Sequence, residues 1–292
     1  MAVQEDKWDL VIKPHDRLLS VDLGELWHYR DLCMLLVKRN IITQYKQTIL
    51  GPVWFVVQPV LTVLMYMVVF GGIAGIPTDG VPQPLFYLAG TCFWQYFADC
   101  LTKTSNTFVS NSGIFGKVYF PRLVVPISNV ISNLMRFGIQ FGLFTVVFAI
   151  YALTDPSCGA NVNAYALLFP LLVIMMAGLA LGFGTVISSW TTKYRDLQVL
   201  FTFVIQLWMY GTPIVYPLSQ TAGKYVAGMS LHTLMCLNPV TPILEAFKYG
   251  FLGSGVFIGW GWLMYSLGFM IMLLAFGIII FNKVQKNFMD TV

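Results

Sequence analysis

The residue types that usually catalyse reactions are scarce in this chain, and their spacing matches no catalytic or metal-binding motif. None of the three histidines, His15, His28 and His232, has a histidine or carboxylate partner at the spacing of a metal or nucleophile site. The stretch SGIFGKVYF, residues 112–120, contains a Gly-Lys pair but lacks the leading glycine and the hydroxyl residue of a phosphate-binding loop. We therefore expect no enzyme activity, no metal and no cofactor in this chain. If a nucleotide drives it, another chain binds that nucleotide.

The residues best suited to binding a partner lie in the short stretch KVYFPRLVVP, residues 117–126. Its cations, aromatic residues and prolines are Lys117, Arg122, Tyr119, Phe120, Pro121 and Pro126. Prolines restrict the backbone and aromatic rings offer large apolar surfaces, so this stretch suits docking into a cleft of a partner protein. Aromatic and basic residues also anchor chains at a membrane surface. The residues alone leave both interpretations open.

Composition predicts that the elements carrying these residues sit in a membrane. The 292 residues are 57% hydrophobic and only 10% charged, with mean hydropathy +0.72, whereas soluble domains carry about 25% charge. We expect an integral membrane protein. Residues 1–22 are charged, contain a proline and lack an apolar core, so they predict a cytoplasmic tail and not a signal peptide.

Six stretches approach the roughly 20 apolar residues that a membrane-spanning helix needs. They are residues 53–75, 84–101, 126–152, 164–190, 197–216 and 256–281. With six spans, 14 of the 17 lysines and arginines fall on the side of the amino terminus. Cytoplasmic loops are rich in these residues, so both termini, including the tail 282–292, are predicted to be cytoplasmic.

The segment before the first span, residues 23–51, predicts an amphipathic helix that lies along the cytoplasmic face. Its apolar side is formed by Leu23, Trp27, Cys33, Val37 and Ile41. Its basic residues include Arg30, Lys38 and Arg39. Such a helix serves either as a surface anchor or as a contact for a partner or for anionic lipid head groups.

Residues 217–252 are apolar, but prolines and glycines divide them into pieces too short to span. Backbone polar groups cannot face lipid unsatisfied, so we expect two half-helices, near 218–231 and 241–252, that enter the membrane from the outer side. Glu245 and Lys248 are three residues apart on the second piece and are expected to pair. An outer cap without a gating role explains the same sequence.

Five separated motifs resemble the membrane subunit of ABC-2 type polysaccharide exporters, a family that includes permeases for O-antigen, capsule and teichoic acid. The motifs are GPVWFVVQPVLTVLMYMVVFG at 51–71, LAGTCFWQYFADCL at 88–101, NSGIFGKVYFPRLVVPIS at 111–128, YGTPIVYP at 210–217 and LNPVTPILEAFKYGFLG at 237–253. The resemblance extends from about residue 26 to residue 290, with the motifs in the same order and at similar spacing.

The resemblance implies an all-α integral membrane protein of the bacterial cytoplasmic (inner) membrane. Each protomer would have six transmembrane helices within a domain at 52–281, an amino-terminal interface helix and short re-entrant gate helices before the last span. Two copies of the chain would assemble with two ATP-binding subunits, which bind ATP and Mg²⁺. A path between the two permeases would carry a glycan on polyprenyl pyrophosphate, and O-antigen is the favoured cargo. No nucleic-acid partner is expected.

The resemblance also assigns roles to residues. Loop 111–126 would be the coupling element seated in the ATPase, with contacts from Lys117, Tyr119, Phe120, Pro121 and Arg122. The interface helix would use Arg30, Lys38 and Arg39. The outer gate would contain Pro213, Tyr216, Pro217, Asn238, Pro239, Glu245 and Lys248.

A conduit for sugars can use aromatic faces, although membrane-interface belts explain aromatic enrichment equally well. The candidates for the glycan path are Trp54, Phe55, Tyr66, Phe93, Trp94, Tyr96, Phe97, Trp208 and Tyr210. A pyrophosphate head needs cations, and the candidates for binding it are Arg30, Lys38, Arg39, Arg122 and Arg136.

Arg136 lies about ten residues inside an apolar span, where a guanidinium facing lipid would cost several kcal/mol. It is expected to face the helix bundle or the conduit. One hypothesis is contact with the translocating lipid-linked head, and the favoured alternative is a pair with Asp99 or a backbone carbonyl. Asp99 and Lys103, four residues apart, are themselves expected to form a structural pair.

Two other functions remain open on the sequence. The first is an ABC-2 exporter of a small hydrophobic drug or lipid. The second is a membrane enzyme of glycan or lipid synthesis, which would need clustered cytoplasmic carboxylates or histidines. The acidic residues lie mainly before residue 32 and do not form such a cluster, which disfavours the enzyme.

Overall fold

The structure is a computed structural model that describes residues 23–46, 49–116, 120–154, 161–194, 196–226, 228–253 and 257–287. Within these ranges the chain is helical apart from its loops and one short hairpin, whose two strands have two residues each. The all-α membrane class is therefore confirmed. The predicted tail 1–22, residues 288–292 of the predicted tail 282–292, and Lys117 and Tyr119 of the predicted coupling loop lie outside the described residues. Residues 282–287 continue the last helix.

The amino-terminal segment forms two helices, α1 (Leu23–His28) and α2 (Arg30–Tyr45), separated at Tyr29. Helix α2 packs against α6 (Val124–Thr154) through buried Leu36 and Val37. Trp27 is 70% exposed on the surface of the single chain, where an apolar side that lies along a membrane would be, so its place on the apolar side stays a prediction. Backbone hydrogen bonds from Tyr29 to Glu25 and from Cys33 to Tyr29 continue across the junction of α1 and α2.

Four helical stretches are long and apolar enough, by length and composition, to cross a membrane among the residues described. The first combines a 3₁₀ turn (Gly51–Val53), α3 (Trp54–Tyr66) and a π-helical stretch (Met67–Ile73). The others are α6, α7 (Phe169–Thr191) with the 3₁₀ turn before it (Ala164–Leu168), and α11 (Trp260–Asn287). All four coincide with predicted spans.

The other two predicted spans correspond to α4 (Gln83–Ser105) and α8 (Leu197–Tyr210). Helix α4 has 23 residues, most of them buried by the surrounding helices, so it needs less apolar character than a helix facing lipid. Helix α8 has 14 residues, which at about 1.5 Å per residue is shorter than a hydrocarbon core of roughly 30 Å. The count of six spans therefore stays a prediction.

Helix α4 is at the centre of the bundle, where it packs against α6, α7 and the later helix α10 (Val240–Leu252). Small residues allow close approach, since a Cβ added at Gly184 of α7 would lie 2.5 Å from the Cβ of Thr104 on α4. Phenylalanines fill the space between α4, α6 and α10, and the rings of Phe93 and Phe247 have centroids 4.3 Å apart.

The segment after α8 is only partly as predicted. Residues 218–231 do not form a half-helix. They contain a 3₁₀ turn (Leu218–Thr221) and the antiparallel strands β1 (Tyr225–Val226) and β2 (Met229–Ser230). Gly223 and Gly228 have φ of 75° and 82°, a left-handed conformation that interrupts a helix and suits glycine. Helix α9 (Leu231–Leu237) follows, and then α10, which matches the predicted second piece.

Helix α3 is irregular at two points. Pro59 lies inside the helix, where it removes one backbone hydrogen bond. Beyond Tyr66 the helix widens into the π-helical stretch Met67–Ile73. Irregular turns of this kind occur mainly at functional positions in helices.

The tight contact at Gly184 leads to a stability prediction. Gly184→Ala is expected to destabilise the protein by about 1–3 kcal/mol, because the added methyl meets Thr104. Gly142→Ala is the matched control, since a Cβ there meets nothing within 4 Å, and it should be neutral or stabilise by about 0.5–1 kcal/mol. Thermal unfolding of the purified protein in detergent measures both. Equal stability of the two variants would contradict the packing described.

Candidate functional site

A polar contact between three helices is centred on Arg136 of α6. The Arg136 Nη1 donates to Oδ2 of Asp99 on α4 at 2.6 Å, and Nη2 donates to Oε1 of Gln58 on α3 at 2.8 Å. The guanidinium also lies over the ring of Phe55, 5.2 Å from its centroid. The favoured pairing of Arg136 with Asp99 is confirmed, and this residue holds α3, α4 and α6 together.

The expected pair of Asp99 with Lys103 is wrong. Asp99 accepts hydrogen bonds from Arg136 and from Nε2 of Gln95, at 2.9 Å for the latter. Lys103 Nζ instead donates to Oδ1 of Asn133 at 2.8 Å. Arg136 and Asn133 are three residues apart on α6, so one face of that helix supplies a partner to each member of the expected pair.

A groove between α3, α4 and α6 extends from the Arg136 contact toward the later end of α3. Besides Arg136, its polar lining residues are Gln58, Thr62, Thr91, Gln95 and Gln140. Tyr66 and Trp94 supply aromatic surface to the same groove. The groove is partly open and holds about 40 Å³, enough for a few water molecules.

Most of these polar residues were missed by reasoning from sequence. A signal was present, because the groove residues repeat every four positions on each helix: 58 and 62, 91 and 95, and 136 and 140. Positions i and i+4 share one helix face. Three apolar helices that each carry such a polar pair therefore indicate a common polar surface.

The predicted glycan-path aromatics occupy different environments. Phe93, Trp94, Tyr96 and Phe97 are buried, and of these only Trp94 lines the groove, together with Tyr66. Trp208 packs against Phe97, with ring centroids 5.2 Å apart. Trp54 and Tyr210 are about half exposed on the surface of the single chain. The structure does not bring the whole set together, and its role in a path stays a prediction.

The predicted gate residues do come together, at the end of the bundle that carries α9 and α10, called the distal end below. Lys248 Nζ lies 3.3 Å from Oε1 of Glu245, so the expected pair is confirmed. Lys248 also donates to the carbonyl oxygen of Pro213 and lies 4.1 Å from the centroid of the Phe86 ring. One buried cation thus connects α10 with α4 and with the loop after α8.

Further contacts tie the same loop to α9 and α10. Asn238 Nδ2, between α9 and α10, donates to Oγ1 of Thr212 at 2.9 Å, and the Tyr216 hydroxyl lies 3.5 Å from Sδ of Met235 on α9. Pro217 and Pro239 directly precede the 3₁₀ turn and α10. The gate residues therefore form one structural unit, and a gating role remains a proposal.

The opposite end of the bundle, which carries α2 and the short helix α5 (Thr107–Phe115), is called the basal end. A buried apolar group here, the basal cluster, consists of Leu36, Phe108, Phe115, Phe120, Val124, Val125 and Phe281. Phe120 is only 6% exposed, and its ring centroid lies 5.7 Å from that of Phe115. The expectation that Phe120 projects as a docking knob is wrong, because the ring gains more by packing within this cluster.

Arg122 connects the predicted coupling loop to the last helix. Its Nη1 donates to the carbonyl oxygen of Gln285 at 2.7 Å, and its guanidinium lies 5.5 Å from the centroid of the Phe115 ring. Gln285 is near the end of α11, where carbonyl groups lack helical partners and favour a cation. Burial lowers the pKa of Arg122, and the group still stays charged because arginine titrates far above neutral pH.

The cations proposed for a pyrophosphate head do not form one cluster. Arg30, Lys38 and Arg39 are exposed on α2, where Arg30 contacts Asp31 at 3.8 Å and Arg39 donates to Asn40 at 3.4 Å. Arg122 is engaged with α11, and Arg136 lies within the groove. In the described part of the chain, no three His, Cys, Asp or Glu side chains are grouped as a metal site would need.

A polar groove between apolar membrane-spanning helices is a candidate binding site for a polar ligand. The chain belongs to the ABC-2 type transporter family, whose model matches residues 31–252. It is thus a multi-pass membrane protein of a family of transporter permease subunits.

Individual relatives have export functions in their names. The chain is 25% identical over 272 residues to an O-antigen export system permease protein RfbA of Klebsiella pneumoniae, covering 93% of this chain and 98% of the relative. It is 26% identical over 225 residues to an RfbA of Myxococcus xanthus, covering 77% and 81%. The polysialic acid transport protein KpsM of Escherichia coli is 22% identical over 227 residues, covering 75% and 81%.

The buried pair at the distal end leads to a second prediction. Lys248→Met should destabilise the protein by about 3–5 kcal/mol, because it leaves the Glu245 carboxylate buried without its cation. The double variant Glu245→Gln/Lys248→Met should recover part of that loss. Exposed Lys224→Met is the control, with no change expected. Thermal unfolding in detergent provides the measurement, and a single variant as stable as the control would refute the importance of the pair.

Proposed function

We propose that this chain is the membrane permease subunit of an ABC transporter that exports a polysaccharide linked to polyprenyl pyrophosphate, with O-antigen the favoured cargo. The observation that carries the proposal is the match to a Klebsiella pneumoniae O-antigen export permease along 93% of this chain and 98% of the relative. A match of that extent covers nearly the whole permease chain of the relative and not only a fragment of it.

In this proposal two copies of the chain form the path, and two ATPase subunits bind ATP and Mg²⁺ on the cytoplasmic side. The basal end, with α2, α5 and the carboxyl end of α11, faces the cytoplasm, and the distal end faces outward. Both termini are then cytoplasmic, and the membrane is the bacterial inner membrane. The placement agrees with the excess of lysine and arginine in segments at the basal end.

The geometry of the basal end supports a coupling role for loop 111–126. Phe115 and Phe120 bury the loop against Leu36 of α2 and Phe281 of α11, and Arg122 holds the end of α11. Movement of the loop would therefore be transmitted to α2, α6 and α11 together. Lys117 and Tyr119 are proposed to contact the ATPase, with Phe120 and Arg122 connecting that contact to the spans.

The groove supports a cargo with polar groups. Amide and hydroxyl side chains line it between helices that are otherwise apolar, and such residues are costly in a membrane unless they serve a polar partner. A small hydrophobic drug or lipid, the alternative cargo, would gain little from them.

Deletion of this chain tests the proposed cargo. Lipid-linked glycan is expected to accumulate inside the cell and to disappear from the surface, because synthesis continues while export stops. Extraction of lipid-linked glycan and staining of surface polysaccharide measure the two pools, and the wild-type chain should restore both. Normal surface glycan in the deletion strain would refute polysaccharide export and favour the alternative.

Purification from native membranes in mild detergent tests the partner. An ATP-binding subunit should accompany the wild-type chain and be lost from Lys117→Glu, because reversed charge opposes docking at the coupling loop. Arg122 is left unchanged because it holds the end of α11. Lys193→Glu, an exposed cation in another basal loop, is the matched control and should retain the subunit. If no ATPase is recovered with the wild-type chain even after crosslinking, the transporter mechanism has to be abandoned.

A further inference from the structure

We propose that the groove beside Arg136 is a subsite for the sugar residues of the cargo, which contacts their hydroxyl groups through Gln58, Thr62, Gln95 and Gln140. The inference rests on the proposed function, since it names the part of the cargo that this surface recognises. Gln58 and Thr62 lie one turn apart on α3, and Gln95 and Gln140 line the same groove from α4 and α6.

The strongest observation is the state of Gln140. The residue is 4% exposed and lines the groove. Its amide has no hydrogen-bond partner in the described ranges and is not among the fully buried unpartnered atoms, so it is accessible from the groove. The Nε of Arg136, one turn away, is buried and has no partner within those ranges. Buried polar groups normally have partners. The groove therefore presents donors and acceptors that are free to bind water or a polar ligand.

The charge of the groove favours a neutral ligand over a phosphate. The positive charge of Arg136 is matched by Asp99 at 2.6 Å, and Lys103 is engaged with Asn133. Gln58, Gln95 and Thr62 each form one hydrogen bond within the protein. What they offer a ligand is therefore the other atom of each amide and the acceptor capacity of the hydroxyl, together with the amide of Gln140. A phosphate would have to compete with Asp99 for the guanidinium, whereas a sugar hydroxyl can use the amide of Gln140 without disturbing the ion pair.

The size and lining of the groove suit brief contact with a moving chain. The groove is partly open, and its 40 Å³ admits a few waters or the hydroxyl groups of a ligand that lies along it. Tyr66 and Trp94 add aromatic surface beside the amides. Passage through a conduit requires binding that is favourable but weak and repeated, which a shallow row of hydrogen-bonding groups provides.

Gln140→Leu separates this role from a structural one. Because the Gln140 amide faces the groove and has no partner in the described ranges, replacing it with an apolar side chain of similar size should leave thermal stability unchanged or raise it. Export of glycan should fall roughly threefold to tenfold, the worth of about one hydrogen bond. A structural role predicts that stability and export fall together. Parallel loss of both, or export at the wild-type rate, would overturn the proposal.

Thr62→Val and Thr145→Val form a matched pair. Each hydroxyl donates to the carbonyl four residues earlier, at 2.9 Å in α3 and 2.8 Å in α6, but only Thr62 lines the groove. Slower export is expected for Thr62→Val alone, with the transporter complex assayed in cells. Equal export by the two variants would count against the subsite.

A photocrosslinking residue at position 62 or 145 identifies what occupies the groove. The probe is lipid-linked glycan extracted from cells that lack this chain and labelled in its sugars. Crosslinks to the sugars are expected at 62 and not at 145, and crosslinks at 62 to the carrier lipid or its phosphates alone would refute sugar recognition. Failure of the deletion strain to accumulate glycan would instead refute the proposed function itself, so the two failures are distinguishable.

Discussion

The ion pair between Arg136 and Asp99 is the interaction on which the arrangement of the spanning helices depends. A guanidinium in an apolar bundle is costly without acceptors, so α6 is stable only where Asp99 and Gln58 reach it. The same placement brings the next turn of each helix into one groove. The polar groove is therefore a consequence of satisfying one buried cation.

Two other cations are also stabilised by acceptors within the protein, one at each end of the bundle. Arg122 binds the carbonyl of Gln285 at the basal end, and Lys248 binds the carbonyl of Pro213 at the distal end. Each carbonyl lies where regular helical bonding stops, at the end of α11 or in the loop after α8. Long basic side chains thus join loops to helices where backbone hydrogen bonding alone cannot.

The spans and the Glu245–Lys248 pair could be predicted from sequence because apolar length and i, i+3 spacing are local properties. The partner of Lys103 could not, since Asn133 lies on another helix. The burial of Phe120 depends on α2 and α11, which are distant in sequence. Two partners were predicted for Asp99, Lys103 on the same helix and Arg136 on another. The structure shows the contact with Arg136.

The irregularities of α3 determine where that helix can bend. Pro59 deprives the carbonyl of Phe55 of its usual amide, and the π-helical stretch begins at Met67, directly after Tyr66. Between them lie two regular turns that carry Thr62 and Tyr66. Curvature of α3 is thus concentrated on either side of these turns. The segment between Pro59 and Met67 can therefore tilt as one rigid unit. The two ends of the helix can meanwhile change their angle to the membrane as the thickness of the bilayer changes.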